Sequence, residues 1–482
     1  MLSQKCSAYY GGDEMLYRRQ RATRPAQTGR RPAAVLRGIG LIAVLAASAC
    51  GGGAGSTNTT TGASGATGPE CVKDEQGDRC LPLSPESRRV DRATPTFSSP
   101  TAITNPLFPA RNDQMIQLGT VDGIPFRAEV TLLPGEKTIR WNGQQVATVI
   151  SQYVGYLDGR IHEVAIDWYA QADDGAVWYF GEDVFNYEDG AIADTEGTWI
   201  AGRDGPPGII MPANPKPGDV YRPENAPGVV FEEVTVTSTG QTATGPRGPV
   251  DGVLEVRELH MDGKFEDKSF APRYGELSTG SGTDVEAVAV AVPTDALPGP
   301  PPEPLVMLTS GAGALFEAAG EGDWAGAATA TAALRTAWDT YRISDVPAAL
   351  DRQMSGALAT LDATAARDPE ETRVAALDVW RTSLDLRLRY QPATEIDHAR
   401  LDLWAGQLRL DVEAGEKSDV LGDVATLETV WDRVRHTAAP ADAARVDAQL
   451  AGLRAAADEG NLAAVEAAVP ALRSSMAARP AA

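Results

Sequence analysis

Apolar and polar residues change their rhythm twice along this 482-residue chain. From about residue 103 to 292 they alternate in short runs rich in β-branched and aromatic side chains, such as "QQVATVISQYVGYL", "RIHEVAIDWYAQ" and "GVVFEEVTVTST". A period of two marks strands with one buried face. Asp-Gly pairs at 122–123, 158–159, 174–175, 189–190 and 262–263 separate such runs, and the glycine supplies the positive φ that a tight hairpin turn needs. The segment predicts roughly eight to ten antiparallel strands in a meander, as a twisted sheet, a half-barrel or a closed barrel.

"VAVPTDALPGPPPEP" then places six prolines in residues 293–304, a density that favours a stiff extended linker. From residue 305 the period becomes three to four, as in Leu377, Trp380, Leu384 and Leu388 or Leu401, Trp404 and Leu408. Pro347, Pro369 and Pro440 fall where helices would start, and about seven or eight helices fit the pattern. "ALRTAWDTYR" (333–342) and "TLETVWDRVR" (426–435) share Leu-x-x-x-Trp-Asp-x-x-Arg, which points to a duplicated set of helical hairpins. Asp339/Arg342 and Asp432/Arg435 are spaced to brace their own helices. The fold expected is α+β and multidomain, an antiparallel β domain (103–292) followed by a helical bundle (305–478).

A third pattern opens the chain. The apolar run Gly38–Ala49 is too short to span a bilayer, follows Arg30, Arg31 and Arg37, and ends in small residues before Cys50. This combination describes an export signal over residues 1–49, with Cys50 resembling the acylated cysteine of a bacterial lipoprotein. Residues 50–102 would then form a Gly/Ser/Thr-rich tether. Exported chains meet an oxidising compartment, so Cys71 and Cys80 are expected to form a disulfide.

Charge narrows the functional classes. Residues 1–49 carry a net +6, which leaves −29 on the remainder of a chain whose total is −23. That sign repels a phosphate backbone, so no nucleic-acid partner is expected. "HEVAI" at 162–166 lacks the second histidine of a zinc-protease helix, no Gly-x-Ser-x-Gly elbow or phosphate-cradling loop occurs, and four histidines are too sparse to assign to a metal. No cofactor or metal is therefore expected. Glu163/Asp167 and Glu182/Asp183 lie beside Trp168, Tyr169, Trp178 and Tyr179, the company that acids keep in sugar-cleaving sites. In a strand, however, neighbours 182 and 183 face opposite ways.

The run "DWYAQADDGAVWYFGEDVFNYEDGAIADTEGTWIAGRDGPPGIIMPANPKPGDVYRPENAPG" (167–228), with "ITNPLFP" (103–109), resembles a family of uncharacterised secreted and lipid-anchored bacterial proteins over roughly residues 103–275. The stretch 389–420 is similar to helical domains of exported proteins from high-GC Gram-positive bacteria. The resemblance implies an envelope location and brings no catalytic residue. Prolines and glycines should keep "PPGIIMPANPKPGD" (206–219) out of the strand ladder as a cap over one end of the sheet. Trp178, Tyr179, Trp199 and Met211 beside that loop are the candidate ligand-site residues. The chain reads as an envelope lipoprotein that attaches to membrane lipid through Cys50 and binds or scaffolds an envelope ligand or protein. The alternatives are a solute- or metal-capturing helical bundle serving a transporter, and a carbohydrate-active enzyme.

Overall fold

A computed structural model describes residues 70–109, 114–364 and 368–477. The export signal, Cys50 and residues 51–69 of the expected tether lie outside the described residues, whereas 70–102, expected to continue that tether, pack on the sheet: Val72 and Leu81 are buried with Phe231 and Leu259, and Arg89 bridges to Val220. Cys71 and Cys80 are paired in a disulfide. No helix among the described residues is long and apolar enough to cross a membrane.

Fifteen strands come first, then eight α-helices, among the described residues. The strands are β1 (Gln114–Val121), β2 (Ile124–Trp141), β3 (Gln144–Leu157), β4 (Arg160–Gln171), β5 (Val177–Glu188), β6 (Ala191–Asp194), β7 (Trp199–Ile200) and β8 (Gly208–Met211). They continue as β9 (Val220–Tyr221), β10 (Asn225–Ala226), β11 (Val230–Gly245), β12 (Gly248–His260), β13 (Phe265–Ala271), β14 (Gly275–Ser281) and β15 (Asp284–Val292). Antiparallel pairing runs in the order β10-β11-β12-β13-β14-β15-β1-β2-β3-β4-β5-β6, with β1 against β15 in the middle. The turns are built as the Asp-Gly pairs require. Asp158 and Gly159 have φ of 49° and 76°, and Asp122–Gly123 and Asp189–Gly190 repeat that pattern, the two positive angles of a type I′ hairpin.

The sheet is curled but not closed into a barrel. β7 and β8 line the free side of β5, while β9 lines the free side of β11. At this seam a Cβ on Gly208 would lie 2.0 Å from the Pro223 carbonyl oxygen, so only glycine lets the two edges approach. The expected cap loop thus contributes a strand, with Trp178 opposite Ile209 and Val177 opposite Met211. Its prolines flank residues 208–211 and leave those four free to pair with the open side of β5.

The helices are α1 (Glu303–Glu321), α2 (Trp324–Tyr341), α3 (Ala348–Thr364), α4 (Pro369–Arg387), α5 (Ala393–Ala414), α6 (Lys417–Val434), α7 (Pro440–Asp458) and α8 (Leu462–Ala477). The duplication is visible in their ends. α1 and α5 both begin after a proline, Pro302 or Pro392, and both stop at a left-handed glycine, Gly322 or Gly415, as a C-terminal cap demands. The second helix of each set then carries its buried tryptophan, Trp338 or Trp431. The two Leu-Trp-Asp-Arg arginines also reach beyond their own helices, while Asp432 still attracts Arg435 and Arg342 lies over the Trp338 ring. Arg342 pairs with Asp351 of α3, and Arg435 with Asp447 of α7.

Sheet and helices share a buried polar interface. Arg127 of β2 bonds both Glu129 and Asp385 of α4. Arg400 of α5 reaches Gln114, Asp385 and Asp397, and Arg433 of α6 reaches Glu129 and Gln152. Tyr156 stacks on Trp404 alongside, 5.6 Å between ring centres. The proline-rich segment is tied down as well. Asp295, fully buried, accepts from the Tyr274 hydroxyl, the Ala291 amide and Arg247.

Candidate functional site

Antiparallel partners that lie directly opposite share a face of the sheet, and the register gathers polar side chains on the face away from the helices. Asp167 on β4 lies opposite Glu182 on β5, and Glu182 in turn lies opposite Trp199 on β7. Tyr169 lies opposite Tyr179, with the two rings stacked at 4.8 Å, and Tyr179 meets Trp199 edge-on at 5.4 Å. Gly181 makes this junction possible. Its φ is +122°, and a Cβ there would lie 2.3 Å from the Trp199 carbonyl oxygen, so any other residue would push β7 off the strand.

Glu224, from the seam, completes the group. Trp199 donates its indole N–H to Glu224 Oε1 at 3.0 Å, and the Tyr179 hydroxyl donates to Asp167 Oδ1 at 2.7 Å. Burial pushes the Asp167 carboxyl up to about 7 against the pull of the Tyr179 hydrogen bond. Burial, with the Asp167 charge behind it, pushes Glu163 up to about 7. Glu224 is pushed up to about 8 by burial and by Glu232, and Glu182 stands well above the carboxylate range through burial, Glu224 and Asp167. No ion pair joins these four acids to a basic side chain among the described residues.

Farther round the same face the acids do find cations. His260 Nδ1 lies 3.3 Å from Glu232, and Lys268 Nζ lies 2.5 Å from Glu258. Burial alone would lower the imidazole, but the Glu232 and Glu266 carboxylates win and raise it to about 11. Burial likewise opposes ionisation of Glu232, yet His260 and Lys268 bring that carboxyl down to about 2. Ligand atoms of Glu232, Glu258 and His260 lie within 4.8 Å of one another and could surround a metal ion. A protonated imidazole cannot ligate, Lys268 lies against Glu258, and burial with the Glu232 charge still raises that carboxyl to about 8, so an ion would have to displace a proton as well as both positive charges.

The structure separates the four candidate ligand-site residues. Tyr179 and Trp199 belong to the carboxyl group. Trp178, next along the strand, is buried on the opposite face, and Met211 is fully buried opposite Val177. The acids flank Tyr169, Tyr179 and Trp199 rather than Trp168, over whose ring Lys137 sits at 3.2 Å. Asp183 faces away from Glu182, toward Lys137 and Arg203. Sequence reasoning passed over Glu224, Glu258, His260 and Lys268. For the last three the signal was present, because acidic and basic residues continue the inward parity of Leu254 and Val256. Glu224 sits in an irregular turn with no such parity. The chain matches no family model and no curated protein.

Proposed function

We propose that this chain is an exported lipoprotein, held at the outer face of the cell membrane by acylated Cys50, that binds a ligand carrying an organic cation without transforming it. The export pattern of residues 1–49 and the resemblance over 103–275 support the location. One observation carries the binding role: Glu163, Asp167, Glu182 and Glu224 converge with no paired base among the described residues, framed by Tyr169, Tyr179 and Trp199. A cation entering there gains Coulomb attraction and aromatic faces, and it displaces the protons that the raised carboxyls hold near neutral pH. Calorimetric titration with spermidine is expected to give binding that releases protons and tightens about tenfold from pH 6 to pH 8. The double substitution Asp167→Asn with Glu182→Gln should abolish it, and no saturable heat at either pH would rule the role out. Cys50→Ala should end palmitate labelling and release the protein from membranes; continued labelling would move the anchor elsewhere.

A second reading, a solute-capturing bundle that serves a transporter, is favoured by a groove of about 370 Å³ between α1, α4, α5 and α8. Ser310, Glu317, Trp380, Asp402 and Arg473 line it, and the buried Trp380 indole N–H has no acceptor among the described residues. A ligand retained by Asp167→Asn/Glu182→Gln protein but lost on Trp380→Phe would select this reading.

A further inference from the structure

The cation site is one end of a longer acidic lane on the same face of the sheet. Gln117 on β1, Ala128 on β2, Gly155 on β3 and Glu163 on β4 lie opposite one another in turn, so they share the face that carries Asp167. Gly119 on β1 lies opposite both Phe126 and Glu286, which brings Glu286 of β15 to that face. Gln117 donates its amide to Glu276 Oε1 at 3.3 Å. The Tyr153 hydroxyl stands over Gly155, 3.3 Å from where a Cβ would lie. Burial and the charges of Glu163, Glu286 and Glu276 raise that hydroxyl well above the ordinary tyrosine range. Glu163, Glu276 and Glu286 thus gather around Gln117 and Tyr153.

Three observations fit this second group to an ammonium joined by methylenes to the first. The three glutamates are half-buried, so solvent reaches them, and none has an ion pair among the described residues. Lys268, whose charge reaches Glu286, is held 2.5 Å from Glu258, and burial with Glu276 and Glu266 still pushes Glu286 up to about 8. Gln117 is only 3 % exposed and spends its amide on Glu276, while its carbonyl oxygen has no donor among the described residues. A buried acceptor without a donor is costly, and an ammonium, with N–H donors and no acceptor, satisfies that oxygen and the carboxylates together. Between the two ends the lane turns apolar. Ala165 lies between Glu163 and Asp167 on the same face of β4 and opposite Tyr153, a floor suited to methylene groups. Four residues of strand separate Glu163 from Asp167, about 13 Å.

We propose that the ligand is a linear polyamine lying along β4, with one ammonium among Asp167, Glu182 and Glu224 and the other among Glu163, Glu276, Glu286 and the Gln117 carbonyl. This assignment rests on the organic-cation reading given above. Calorimetric titration of the purified chain at pH 8 with spermidine, putrescine and butylamine tests it. Spermidine should fill one site and bind about tenfold more tightly than either of the others, because putrescine carries two charges but is too short to reach both ends. Glu276→Gln with Glu286→Gln should lower spermidine to the affinity of butylamine and leave butylamine unchanged, which also reports that the first end is intact. Putrescine or butylamine binding as tightly as spermidine to the unmodified protein would overturn the two-ended ligand and leave the organic-cation reading standing. A double variant that keeps the spermidine preference would overturn the assignment of the second end. No saturable heat with any of the three amines would overturn the organic-cation reading itself, and the polyamine with it.

Discussion

Glu129 and Asp167 sit two strands apart on opposite faces of the same sheet, at nearly equal burial: 2 % and 7 % exposed. Their chemistry diverges completely. Burial by itself would raise both carboxyls, but Arg400, Arg127 and Arg433 surround Glu129 and hold it well below the ordinary range. Asp167 receives one neutral hydrogen bond, from Tyr179, and stays up near 7. Between these two acids, partner supply rather than depth decides the charge. The face with arginines joins sheet to helices, whereas the face without them keeps protons that a ligand could exchange.

The largest effect that separates the two faces should come from removing the paired acid. Glu129→Ala leaves Arg433 and Arg127 buried with a partner missing, and breaking such a network costs about 3–5 kcal/mol. Urea unfolding should show that loss. The isosteric Asp167→Asn, on the other face, should change stability by less than about 1 kcal/mol at pH 5, where it replaces a largely neutral carboxyl. If the two substitutions cost the same, the contrast drawn between the faces is wrong.

This contrast was only half legible in the sequence. Strand boundaries were readable: residues 144–157 and 160–171 coincide with β3 and β4, because alternation and Asp-Gly turns are local signals. The helical duplication was readable for the same reason, since tryptophan spacing and the polar turns repeat within each set. The arginine interface was not. Arg400 and Arg433 lie 273 and 306 residues beyond Arg127 in the chain, and nothing local distinguishes a buried guanidinium from a solvated one. Likewise Tyr179 and Trp199 could be marked as aromatic candidates, but their meeting with Glu224 depends on the seam, which only the curled sheet creates.

The next effect is a slope in pH. Asp167 moves from 3.8 to about 7, Glu163 from 4.5 to about 7, and Glu224 from 4.5 to about 8. Folded protein therefore holds protons that the unfolded chain has lost. Stability from these groups is complete below about pH 4 and declines as pH rises through 7 to 8. His260 acts in the same direction, since its folded value near 11 exceeds the ordinary 6.5. Glu232, lowered to about 2, opposes only below pH 4.5. Unfolding free energy should fall by several kcal/mol between pH 5 and pH 8.5, at about 1.4 kcal/mol per pH unit for each carboxyl that keeps its proton only in the folded chain. Asp167→Asn with Glu182→Gln should make that slope shallower, leaving the part due to Glu163, Glu224 and His260, whereas Arg92→Gln at the exposed surface should leave it unchanged. Stability that rises over this window would show the inner carboxyls to be ionised and paired.

The smallest effect belongs to charges that are neither buried nor unpaired. Arg435 bonds Asp447 with Nε and Nη2, the shorter contact being 2.7 Å, and Trp431 donates to the same carboxylate at 2.9 Å. The equivalent arginine of the first helical set, Arg342, reaches Asp351 at 3.1 Å, while Trp338 donates to Ser355 at 3.4 Å. Both arginines are nearly half exposed, so solvent screens the attraction and each pair is worth about 0.2–1 kcal/mol. The second pair should lie at the upper end, because its carboxylate is shared with an indole and held in place. Double-mutant cycles with Arg342→Ala/Asp351→Ala and Arg435→Ala/Asp447→Ala measure the two couplings directly. A coupling at Arg435 above that of Arg342, with both far below the loss at Glu129, would place all three charge sites on one scale set by burial and partner supply. Coupling at Arg342 equal to the loss at Glu129 would mean that exposure does not discriminate them.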